Sequence, residues 1–159
     1  GDGSDWIFEV NGTKISELAF RRKVAEQQEF LNQFRRAYGS YADWLLQSMG
    51  FSGDPKQLAH QMLVREELLN NAANKLHIYA HPTSIARELG NMRFLQQQSS
   101  LIPPYVMNES GEINERFLQQ HLQRMGLTVS DFDQLLAQAV SRQMVETLVA
   151  AANYVPQFD

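Results

Sequence analysis

The strongest hydrophobic pattern lies near the C-terminal end, over residues 130–152. Its apolar residues recur at spacings of three and four, which places them on one face of an α-helix. They are Phe132, Leu135, Leu136, Ala139, Val140, Met144, Leu148, Val149 and Ala152. Thr128 and Ser130 are candidate N-caps, and no Gly or Pro interrupts the run before Pro156. A helix with so broad an apolar face needs several partners, so the pattern predicts a long helix that closes a bundle.

The same period predicts further helices, and capping residues indicate where they begin. The predicted starts are Ser16, Asp54 with Pro55, Pro82 and Asn114, and a short helix is predicted over residues 41–49. Trp44 and Leu45 are expected to anchor the short helix, and Met92 is expected to point inward beside Ile85 and Leu89. Gly126 fits the C′ position of the helix that Asn114 caps.

The remaining segments have extended patterns. Residues 6–10 form a β-type run that ends at the turn dipeptide Asn11-Gly12, and residues 154–158 also suggest extended backbone. Because one strand alone is unstable, these pieces are expected to pair elsewhere or to promote dimerisation or domain exchange. The predicted fold class is all-α: about six helices in an irregular bundle closed by the long C-terminal helix, with strand-like segments at both ends. Residues 6–159 are predicted to form a single domain, and residues 1–5 a linker or cloning remnant.

Composition excludes several functional classes. The net charge is −4 and no dense Lys/Arg block occurs, which argues against nucleic-acid binding. The chain has no cysteine, so thiol catalysis, Cys-based metal sites and disulfides are all excluded. No run of 18 apolar residues predicts a membrane span.

Motifs for catalysis and cofactor binding are absent as well. The sequence has no nucleophile elbow, no phosphate-binding loop and no dinucleotide fingerprint. His77 and His81 have a metal-ligand spacing, but Pro82 begins a helix, so the two histidines are not expected to share a helical face. No Asp or Glu lies near enough in the sequence to complete a metal site. The Gly126-Leu127-Thr128 step could be a helix-turn-helix, but acidic residues dominate the helix that follows. We therefore expect no enzyme activity, no cofactor and no metal.

Residues 101–107 are apolar yet cannot be helical at their centre, because Pro103 and Pro104 lack amide donors. Such a segment can pack in the core or line a groove, and flexible Met and aromatic side chains suit a surface that accepts many sequences. Both interpretations are open. If the segment lines a groove, the candidate residues for binding a polypeptide are Phe94, Leu95, Ile102, Tyr105, Met107 and Met125.

The order of several motifs adds a family resemblance. The motifs are Val10-Asn11-Gly12 with Ile15-Ser16 and Phe20, then Leu68-Leu69 with Ala73 and Leu76-His77-Ile78, then Pro104-Tyr105, Gly111 to Asn114, Leu122 and Met125 to Thr128. Over residues 8–155 this set resembles the N-terminal chaperone domain of the SurA/PpiD family of periplasmic folding factors, and PpiD most closely. Residues 41–54 look like an insertion. The chain departs from the family where His77 replaces the usual Gly and His81-Pro82 occupies the next cap.

The resemblance implies an ATP-independent periplasmic chaperone that binds unfolded or partly folded outer-membrane and secreted proteins. In such proteins a parvulin-type prolyl isomerase domain often follows, and PpiD-like members carry an upstream anchor in the inner membrane. Two alternatives are open: the chain is the non-catalytic arm of a prolyl isomerase, or a helical adapter with one dedicated partner.

Overall fold

A computed structural model describes residues 6–10 and 12–153, with side-chain detail from Phe8 onward. Two strands precede seven helices in the described part: β1 Trp6–Val10, β2 Thr13–Ser16, α1 Glu17–Tyr38, α2 Ala42–Ser48, α3 Pro55–Lys75, α4 Pro82–Leu89, α5 Met92–Gln97, α6 Glu115–Met125 and α7 Val129–Ala152. Short 3-10 turns occupy Gly39–Tyr41 and Pro104–Val106. Helices account for 72% of the structure, which confirms the all-α class and the long final helix.

The helix starts are fixed by the side chains that the sequence indicated. Each predicted cap accepts a hydrogen bond from a backbone amide two or three residues ahead: Ser16 from Ala19, Asp54 from Lys56, Asn114 from Phe117 and Thr128 from Asp131. The Asp131 carboxylate in turn accepts from the Thr128 amide at 2.9 Å, which completes a capping box at the start of α7.

β1 finds its partner locally. It pairs antiparallel with β2 across a turn at Gly12, so that Phe8 lies opposite Ile15 and Val10 opposite Thr13. The Phe8 ring also contacts Phe20 of α1 and His60 of α3, at centroid distances of 5.8 and 4.8 Å. The sequence predicted that residues 6–10 pair elsewhere in the chain or promote dimerisation, and their partner is the neighbouring strand β2, whereas the strand predicted at residues 154–158 lies outside the described residues.

The chain divides into two compact units, Gly1–Leu68 and Leu69–Asp159, and the division falls within α3. The sequence predicted one domain over this range. In the first unit one residue from each of three helices forms the buried core: Leu31 of α1, Leu46 of α2 and Leu58 of α3. Phe34, Phe51 and Met62 pack against them.

The core of the second unit is built on α7. Its buried members are Phe94, Leu101, Ile102, Val106, Leu122, Phe132, Leu136, Ala139 and Val140. The α7 residues that belong to this core lie between Phe132 and Met144. The prediction that the whole apolar stripe of α7 is buried is therefore wrong in part, since Leu135, Leu148 and Val149 are exposed. No helix within residues 6–10 and 12–153 combines the length and hydropathy that a bilayer span requires.

Candidate functional site

The apolar segment before and after Pro103 packs into the core of the second unit. Phe94 is 2% exposed and Ile102 is 3% exposed, so the structure closes both to a bound polypeptide. Turns satisfy the backbone here: the Ile102 amide donates to the Gln98 carbonyl at 2.7 Å, and the Val106 amide to the Pro103 carbonyl at 3.0 Å. Because these bonds replace those of a helix, a segment that cannot be helical can still be buried. Groove lining is thus not the role of Phe94 and Ile102.

The other four predicted binding residues are more accessible to solvent than Phe94 and Ile102, and they differ in how much of each is exposed. Leu95 and Met107 are half-buried and pack against the same core, and Met125 is half-buried at the end of α6. Among the six, Tyr105 alone is exposed, with half of its surface accessible to solvent. A role for these four residues in binding stays a prediction.

Tyr105 joins a short chain of hydrogen bonds over α6. The Nε2 atom of His121 lies 2.9 Å from the Ser100 carbonyl, and a carbonyl can only accept, so Nε2 carries the proton. In the neutral imidazole Nδ1 is then the acceptor, and the Tyr105 hydroxyl donates to it. Arg124 donates to the same hydroxyl oxygen at 2.7 Å. The chain of bonds fixes the Pro104–Val106 turn on α6, which is a structural role.

Among the described residues of the first unit, four exposed aromatic residues follow one another along the sequence of α1, the 3-10 turn and α2. We call this set the aromatic surface; it comprises Phe30, Tyr38, Tyr41 and Trp44. Tyr41 is 70% exposed and Trp44 is 66% exposed. The rings of Phe30, Phe34 and Tyr38 follow one another along α1 at centroid distances of 5.6 and 4.7 Å. A contiguous exposed apolar patch marks a site of association, whereas a single exposed apolar side chain is ordinary, and Phe30, Phe34 and Tyr38 form such a contiguous row.

The packing of α2 explains why Trp44 faces outward. Ala42 and Leu46 are the buried residues of α2. Trp44 lies two positions from each of them, which on a helix turns its side chain about 160–200° away from theirs. The sequence pattern predicted that Trp44 and Leu45 both face inward; this is wrong for Trp44, and Leu45 is half-buried. The signal that could have found this is the i, i+4 pair Ala42 and Leu46. Arg35 holds the neighbouring loop, since it donates to the Gly53 carbonyl at 3.0 Å and lies 3.5 Å from Asp43.

A groove of about 420 Å³ lies in the second unit where α6 turns into α7. Gly126, in the left-handed conformation with φ 71°, ends α6. The Leu127 amide bonds back to the Leu122 carbonyl at 2.9 Å and the Gly126 amide to Gln123, the Schellman pattern. The lining residues are Arg116, Gln119, Gln120, Leu122, Gln123, Leu127, Thr128 and Val129.

Among the described residues no three His, Cys, Asp or Glu side chains are close enough to hold a metal ion. The hydrogen bond from the Thr128 backbone amide, with a second from its hydroxyl, holds the pKa of Asp131 below its ordinary 3.8. This lowered pKa belongs to the capping of α7 and leaves Asp131 ionised at neutral pH.

Comparison with known proteins gives one informative result. The family model described as the SurA-like N-terminal domain matches residues 1–146, which is most of the chain and includes all of the first unit and most of the second. No curated protein and no solved structure matches the chain significantly.

Proposed function

The chain belongs to the SurA-like N-terminal domain family, a chaperone-type module, and from this premise we propose its function in more detail. It is an ATP-independent chaperone module of the periplasm, and its clients are unfolded or partly folded outer-membrane and secreted proteins. The aromatic surface of α1 and α2 binds apolar segments of these clients. The observation that carries this proposal is the exposure of Tyr41 and Trp44.

The size of the interaction fits a holding function. An aromatic side chain buries 150–250 Å², so covering the exposed parts of Tyr41 and Trp44 removes roughly 150 Å² each from water. At about 25 cal/mol per Å², the two together contribute roughly 7 kcal/mol. Association costs an estimated 4–15 kcal/mol, so these two contacts alone about balance it. Binding is therefore weak at each contact, and a client is released when its own core can bury the same segment.

The test is the aggregation of a urea-unfolded outer-membrane protein on dilution, followed by light scattering. The wild-type chain at several-fold excess should suppress the scattering, and the double variant Tyr41→Ser/Trp44→Ser should lose most of that effect. The matched control is Tyr79→Ser/Met92→Ser, because Tyr79 and Met92 are 65% and 70% exposed but lie in the other unit.

Two outcomes would contradict the proposal at different levels. If the wild-type chain does not suppress scattering, the chaperone function fails. If the Tyr41/Trp44 variant suppresses as well as wild type while circular dichroism shows both folded, the function stands but the aromatic surface is not the site. Capture of one stoichiometric partner without general peptide binding would instead favour the adapter. A membrane anchor in the parent protein and a homodimer stay predictions.

A further inference from the structure

We infer that the groove between α6 and the start of α7 is a second polypeptide-binding site, for an extended segment that carries an acidic side chain. This inference rests on the proposed polypeptide-binding function and adds a site with different chemistry from the aromatic surface. The groove presents hydrogen-bonding groups above an apolar floor, whereas the aromatic surface presents rings.

One wall of the groove is a polar strip on α6. Arg116, Gln119, Gln120 and Gln123 have the spacing i, i+3, i+4 and i+7, which places them on one helix face. Across residues 6–10 and 12–153, the side chains of these four residues make no hydrogen bond or ion pair with another residue. They are exposed, so they are hydrated in the free protein and available to a ligand.

The glutamines match the polypeptide backbone. A glutamine amide offers both a carbonyl acceptor and an NH₂ donor, which are the same two kinds of group that each peptide unit presents. The strip spans about 10 Å along α6 at 1.5 Å per residue, and an extended chain covers that length in about three residues. Pairing with backbone groups does not depend on the client sequence, which is what a site for many clients requires.

The floor and the charge define the side chains that the groove takes. Leu127 packs against the core of the unit beside Leu122, and Val129 is exposed at the first turn of α7. These residues offer apolar surface to one side chain of the bound segment. Arg116 is the only charged residue of the lining, and it provides a bidentate donor for a carboxylate at the other end of the strip. With one cation in the lining, and with the ionised Asp131 carboxylate bonded to Thr128 at the α7 end, the groove fits a peptide whose single acidic side chain lies at Arg116, and not a phosphate backbone.

The experiment is a titration of the ¹⁵N-labelled 159-residue chain with the peptide acetyl-Thr-Val-Asp-Val-Thr-amide, followed by two-dimensional NMR. The side-chain amide signals of Gln119, Gln120 and Gln123 and the backbone signals of Leu127 and Val129 should shift. The same peptide with Asn in place of Asp should bind about two- to fivefold more weakly, as expected for one exposed ion pair. Arg116→Gln should bind the two peptides equally, and the control Arg93→Gln should keep the wild-type ratio.

Other outcomes overturn the inference. Equal affinity of the wild-type chain for the two peptides, or shifts that leave the three glutamines unchanged, would remove it. Shifts of the groove signals with protein concentration alone would show that a second copy of the chain is the occupant. Failure here is distinct from failure of the proposed function: if the chain still suppresses client aggregation, only this second site is lost. If it does not, both are lost.

Discussion

The end of α3 carries a local strain that a single substitution should relieve. His77 has φ 56°, in the left-handed region, and is the only non-glycine residue with positive φ in the described part of the chain. Its amide bonds to the Asn74 carbonyl at 3.2 Å, and the next amide, of Ile78, bonds to Ala73 at 2.9 Å. This is the Schellman pattern with His77 at C′, where glycine is the usual residue. The corresponding position after α6 is Gly126.

We predict that His77→Gly stabilises the protein. A side chain in the left-handed conformation costs about 1–2 kcal/mol, which glycine avoids. Glycine also gains freedom in the unfolded chain, which offsets about 0.4–1 kcal/mol of that gain. The His77 imidazole is exposed and its nearest described ring, Tyr79, is 6.4 Å away between centroids, so little packing is lost. The net gain should be about 0.5–1 kcal/mol, or roughly 1–4 °C in Tm for a chain of this length.

The assay is urea unfolding followed by circular dichroism at 222 nm, with thermal melting in parallel. His77→Ala is the matched control, because alanine removes the imidazole but keeps the penalty for positive φ. The Gly variant should have a higher urea midpoint than both wild type and the Ala variant, at unchanged m value. If the Gly and Ala variants are equally stable, or if the Gly variant is less stable than wild type, the reasoning about backbone strain is refuted.

Two further predictions concern hydrogen bonds in the second unit. Tyr105→Phe removes the hydroxyl that links Arg124 to His121 and should lower the free energy of unfolding by about 1 kcal/mol in a urea titration; no change would mean that water replaces the hydroxyl without cost. The lowered pKa of Asp131 means that its ionised form stabilises the folded state above pH 3.8, and this contribution is lost as the pH falls through the lowered pKa. The stability difference between wild type and Asp131→Asn should therefore be constant near pH 7 and decrease as the pH falls below 3.8, and a difference that does not change with pH would contradict the assignment.

The helix boundaries could be predicted because their causes are local. Ser16, Asn114 and Thr128 each accept a hydrogen bond from the amide three residues ahead, so a short stretch of sequence contains both partners. The hairpin was missed although it too is local, because the four residues of β2 end at Ser16, the residue that signals the start of α1.

The candidate sites depended on packing that the local pattern determines only in part. In a seven-residue helix such as α2 more than one face carries apolar residues, and contact with Leu31 and Leu58 selects the face with Leu46. Trp44 is left outside as a result. The prolines near residue 103 correctly excluded a long helix, but they did not decide between a groove and the core. Hydrogen bonds in turns satisfy the backbone of this segment, so Ile102 can be buried in the core.

The most direct measurement of the central claim is site-specific photocrosslinking to an unfolded client. A photoreactive phenylalanine analogue would replace Tyr41 in one chain and the similarly exposed Tyr79 in another, and each chain would be irradiated with a urea-unfolded outer-membrane protein just after dilution. We expect strong crosslinks from position 41 that disappear when the client is already folded, and few from position 79. Equal crosslinking from the two positions, or none from position 41, would contradict it.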